Sequence, residues 1–101
     1  NDLWTRHTDS TAAFWTQDSV VGRRFGGGKP VLVLTSARTY SAAEEFAYNL
    51  QSLKRATVVG EVSAGGAHPM VGRPLDGPFV LGVPAARAIN PVTRANWEGT
   101  G

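Results

Sequence analysis

Residues 29–60, KPVLVLTSARTYSAAEEFAYNLQSLKRATVVG, decide the fold. Val31-Leu32-Val33-Leu34 is a continuous apolar run, the composition of a strand buried on both faces. From Ser41 to about Arg55, the apolar residues Ala43, Phe46, Ala47, Leu50 and Leu53 recur at steps of three and four. That period predicts an amphipathic helix with those five side chains as its buried stripe. Lys54 and Arg55 place cations where the negative end of the helix dipole would lie. Ala56-Thr57-Val58-Val59 then reads as a second strand ending at Gly60. A strand, a helix and a strand are what two parallel neighbours need for their crossover, so a right-handed βαβ unit and an α/β fold are expected.

Outward from this unit the pattern weakens. Upstream, Asn1–Gly28 mixes Trp4, Phe14, Trp15 and Val20-Val21 with Thr and Asp, and is expected as an irregular lead-in closed by Gly26-Gly27-Gly28. Downstream, a loop of small residues over 61–68 precedes short strand candidates at Met70-Val71, Phe79–Val83 and Arg87–Ile89, separated by Gly and Pro. With 101 residues, 42% of them apolar, the chain suits one modest core and not two. A net charge of +2 from scattered Lys and Arg argues against nucleic acid as a partner. No apolar run approaches the ~18 residues that a membrane-spanning helix needs. Cysteine is absent, which excludes disulfides, thiolate metal ligands and a cysteine nucleophile. Nothing implies a cofactor or metal, and the compartment is undetermined.

Ser41-Ala42-Ala43-Glu44 fits a capping box, with the serine hydroxyl and the glutamate carboxylate bonding each other's backbone amide. That role alone explains a serine at a helix start. The same position also offers chemistry, because free amides and the positive end of the dipole can stabilise an oxyanion beside the hydroxyl. Two histidines, His7 and His68, are the imidazoles at hand for a base. His68, just beyond Gly65-Gly66, either faces a substrate groove or steadies a turn; His7 reads as a surface residue.

Residues 29–69 resemble the nucleophile region of the tail-specific, or C-terminal-processing, serine proteases. The likeness consists of a strand ending in Leu34-Thr35-Ser36, Ser41-Ala42-Ala43-Glu44 on a helix, the run Arg55–Glu61, and a glycine loop. Ile89–Thr93 and Asn96–Gly101 are similar to the branch that contains interphotoreceptor retinoid-binding protein and tricorn-like proteases. The resemblance extends over about seven tenths of the chain, residues 29–101. It implies a ClpP/crotonase-like core of ββα units, the nucleophile-bearing C-terminal part of a partial catalytic domain, and cleavage of peptides or unfolded protein C-termini. It further implies Ser41 as nucleophile, the Ala42 amide in the oxyanion hole, and a substrate groove along Gly65, Gly66 and His68. The lysine base of the processing branch would fall at Gly66, 25 residues beyond Ser41, so a Ser/Lys dyad is not expected. Tricorn-like members use a histidine from an upstream segment with a glutamate that matches Glu98. Nothing in Asn1–Gly28 resembles that upstream segment, so the 101 residues are expected to be inactive alone and to leave apolar surface that favours homo-oligomers; bacterial members of the family are often exported, which leaves a periplasmic or secreted parent open without fixing the compartment. The alternative from this branch is a non-catalytic module binding hydrophobic ligands.

Overall fold

Seven strands and one helix make up the chain in a computed structural model that describes all 101 residues. In chain order they are β1 (Asp2–Thr5), β2 (Ser10–Ala13), β3 (Leu32–Thr35), α1 (Ala42–Ser52), β4 (Thr57–Gly60), β5 (Met70–Pro74), β6 (Val80–Pro84) and β7 (Ala86–Ile89). β3 and β4 pair in parallel, with Leu34 opposite Val59 and Thr35 opposite Gly60. α1 is their crossover, so the mixed α/β character expected from residues 29–60 is present. Gly60 is required at the end of β4: its φ is +131°, and a Cβ there would overlap the Thr35 carbonyl oxygen.

The lead-in differs from its expected irregular form. β1 and β2 form a hairpin, and β1 is also flanked by β7, with Leu3 opposite both Ala12 and Ala88. The hairpin loop is fixed by the Trp4 indole donating to Asp9 Oδ1 at 2.9 Å, while Arg87 lies 5.4 Å from the Trp4 ring centroid across the β1/β7 pair. Residues 14–31 hold neither strand nor helix. Their glycine break is tied to the far side of the crossover by Arg55, whose guanidinium donates to the Gly26 and Lys29 carbonyls. Arg55 thus lies beyond α1 and spends its donors on that break, whereas it was expected to serve the helix dipole.

The core sits where β7, α1 and the last turn meet. Ala67, Ala88 and Trp97 pack together there, and the Tyr48 ring lies 5.5 Å from that of Trp97. Two expectations about burial fail. Leu32 and Leu34 are 66% and 79% exposed, because no layer covers that face of β3. The helix stripe is turned inward only in part: Ala47 is buried as expected and Glu44 is buried beside it, whereas Phe46 and Leu53 from the stripe are exposed. The accessible surface of 7814 Å² exceeds the ~5,500 Å² usual for a compact protein of this mass. A radius of gyration of 16.2 Å against a usual ~12.7 Å agrees. The apolar outer surfaces of β3 and α1 account for part of that excess.

Candidate active site

Ser41 ends the turn that leads from β3 into α1. Its φ of +55° and ψ of −120° lie in a region that L residues rarely occupy, at a cost of ~1–3 kcal/mol. An ordinary helix cap has an extended backbone and pays no such cost. Ser41 and Glu44 are placed as a capping box, and the half that meets hydrogen-bond geometry is the Ser41 amide donating to Glu44 Oε2 at 2.7 Å. The Ser41 hydroxyl makes no side-chain capping bond of its own. The next amide, that of Ala42, opens the helix and donates to no backbone acceptor. Ser41 and Ala42 line one cavity of about 330 Å³ with Gly66, Ala67, Leu3 and Phe14.

Glu44 organises the surroundings of this turn. Glu44 is 2% exposed, with its Oε1 accepting from the Gly65 amide at 2.6 Å and its Oε2 from the Gly66 amide at 2.9 Å. Burial pushes the carboxyl up, but the Ser63 side chain and the Gly66, Gly65 and Ser41 amides together outweigh it and hold its pKa below the ordinary value. A lowered folded-state pKa stabilises the fold fully above the unfolded value of ~4.3, and the stabilisation is lost as pH falls through the folded value. Urea midpoints measured from about pH 6 to pH 2.5 are therefore expected to fall on the acid side, with a shallower decline in Glu44→Gln.

Glu98 holds the other side of the glycine loop. Its Oε2 accepts from the Ala67 amide at 2.6 Å and the His68 amide at 3.0 Å, and lies 3.8 Å from Nδ1 of the His68 ring. The turn bearing Glu98 is fixed by its own amide donating to Asn96 Oδ1, by Gly99 donating to the Gly65 carbonyl, and by the Trp97 indole donating to the Gly66 carbonyl. Loop 65–68 is thus clamped by two carboxylates, Glu44 from the helix and Glu98 from the last turn.

Of the residues singled out from sequence, Ser41, Ala42 and Gly66 come together on one cavity. Gly65, His68 and Glu98 belong to the adjoining clamp and do not line it. No histidine or lysine hydrogen-bonds to Ser41. Reading Glu44 as a cap undervalued it, since most of its bonds go to amides 21 and 22 residues away. The available signal was a carboxylate three residues beyond Ser41 together with a Gly-Gly loop rich in donors.

The sequence matches the family model described as Peptidase family S41 over residues 5–101. This accords with the resemblance to tail-specific proteases and spans the turn, the loop and the clamp alike. The chain belongs to peptidase family S41.

Proposed function

We propose that this domain is the nucleophile-bearing part of a serine peptidase of ClpP/crotonase-like fold, acting on peptides or unfolded protein C-termini by acyl transfer. The observation that carries the reading is the strained Ser41 turn, with a hydroxyl free of capping bonds beside an unpaired Ala42 amide. Ser41 Oγ attacks the scissile carbonyl carbon while its proton passes to an imidazole. The resulting oxyanion accepts from the Ala42 N–H. Collapse breaks the C–N bond as the imidazolium gives its proton to the leaving amine; water, losing a proton to the imidazole, then attacks the acyl carbon, and the C–Oγ bond breaks as that proton returns to Ser41.

The base is assigned to a histidine from polypeptide outside these 101 residues. Gly66 offers no base, and His68 does not line the Ser41 cavity, although its neighbours Ala67 and Pro69 do. Glu98 orients that imidazole through Oε1, which is free of the amide bonds made by Oε2. Gly65, Gly66 and His68 form the groove wall along which the substrate backbone lies.

The test is hydrolysis of unstructured peptides with varied C-termini by the full-length protein and by Glu98→Gln. Glutamine still accepts the Ala67 and His68 amide bonds, so the fold is kept while the charge is lost. A fall in kcat of ~10²-fold or more at unchanged melting temperature is expected. Equal turnover by the two proteins would remove Glu98 from the mechanism. No turnover by a folded wild type would favour the hydrophobic-ligand module, for which the apolar lining by Leu3, Phe14, Ala67 and Trp97 is the supporting observation.

A further inference from the structure

Gly66 lacks a side chain for a reason of space. Its φ is not in the left-handed range, yet a Cβ placed there would overlap Cε2 of Tyr40 and lie 2.5 Å from Cζ and 2.8 Å from Oη. The ring of Tyr40, the residue just before Ser41, therefore fills the place of a residue-66 side chain and rests on the Gly66 backbone. The Gly66 amide is held by Glu44 Oε2, which also accepts from the Ser41 amide. Tyr40, Gly66, Glu44 and Ser41 thus close a ring of contacts around the strained turn.

A strained backbone persists only where its surroundings hold it from both sides. Downstream, the Ser41 amide is held by Glu44. Upstream, the Thr39 carbonyl accepts from the Ala64 amide and the Tyr40 carbonyl from that of Ala43, and the side-chain contact is that of Tyr40, itself 54% exposed, against Gly66. We infer that Tyr40 is a positioning residue for Ser41: packing of its ring on Gly66 keeps the Ser41 turn in its reactive conformation. The ring is assigned this role ahead of the hydroxyl because its Cε2 and Cζ lie nearest the place of a Gly66 Cβ, with Oη next at 2.8 Å. This inference rests on the peptidase reading for its catalytic consequence but not for its structural one.

The experiment uses Tyr40→Ala, Tyr40→Phe and Gly66→Ala in the full-length protein, with two readouts. The first is the strong intraresidue amide-to-α-proton NOE that a positive φ gives Ser41. The second is the rate at which a fluorophosphonate phosphonylates Ser41 with loss of fluoride, with peptide turnover resolved into kcat and KM.

Tyr40→Ala is expected to lose the NOE and to be phosphonylated ~100-fold more slowly, with kcat reduced and KM little changed. Tyr40→Phe is expected to keep the NOE and most of the rate. Gly66→Ala, which drives the native ring off the loop, is expected to repeat the alanine result, and it decides the matter should Tyr40→Ala not fold. Retention of both NOE and rate in Tyr40→Ala or Gly66→Ala overturns the inference, and so does a loss in Tyr40→Phe as large as in Tyr40→Ala. A wild type that takes no label overturns the peptidase reading instead, and the NOE alone then decides the role of Tyr40.

Discussion

Replacing Ser41 with alanine is expected to lower kcat by ~10⁵-fold or more, leaving KM and the melting temperature close to those of the wild type. Alanine removes the nucleophile and nothing that holds the fold. The Ser41 hydroxyl makes no capping bond, and the 2.7 Å bond from residue 41 to Glu44 comes from the backbone amide, which alanine keeps. A serine acting only as a helix cap would behave in the opposite way, costing ~1 kcal/mol of stability and no activity. Parallel measurements of kcat and thermal melting on the two proteins therefore separate the roles. Activity that survives the substitution would place the nucleophile elsewhere.

Glu44→Ala is expected to have the largest effect on stability. Removing the carboxylate strands the amides of Ser41, Gly65 and Gly66, of which that of Gly65 is buried and the other two are half-buried. Each unpaired donor costs ~1–3 kcal/mol, partly offset because a buried charge is also removed. A net loss of ~3 kcal/mol lowers the melting temperature of a domain this size by ~10 °C or more. Glutamine restores one acceptor but turns an NH₂ group toward the remaining donors, so Glu44→Gln falls between the two. Thermal melts of the three proteins near neutral pH give the order directly. A Glu44→Ala melt within about 2 °C of wild type would mean that the loop amides find other partners, against the usual penalty for buried unsatisfied groups.

The central crossover is visible in residues 29–60 because local pattern and long-range pairing agree there. The apolar run precedes a helix-period segment and a second β-rich run, and the observed β3, α1 and β4 fall within a residue or a few of those bounds. The helix orientation was visible only in part. Hydrophobic periodicity points to Ala43, Phe46, Ala47, Leu50 and Leu53; Ala47 is buried, but Phe46 and Leu53 are exposed and Glu44 is turned inward, because its carboxylate binds the glycine loop. A count of apolar residues does not register burial driven by hydrogen bonds. The β1/β2 hairpin was missed for a related reason. Asp2–Thr5 becomes a central strand only through β7, more than 80 residues away, and a four-residue strand carries little pattern of its own. Ser41, Ala42 and Gly66 could be gathered from sequence, whereas the clamp of Glu98 on residues 67 and 68 is a matter of geometry alone.

An activated Ser41 nucleophile is the centre of the proposed mechanism. Treating the folded full-length protein with a fluorophosphonate and mapping the adduct by peptide mass spectrometry tests it most directly. One adduct on Ser41, absent from Ser41→Ala and from protein unfolded beforehand, is the predicted result. A folded protein with Ser41 unmodified, or with label on another serine, would contradict it.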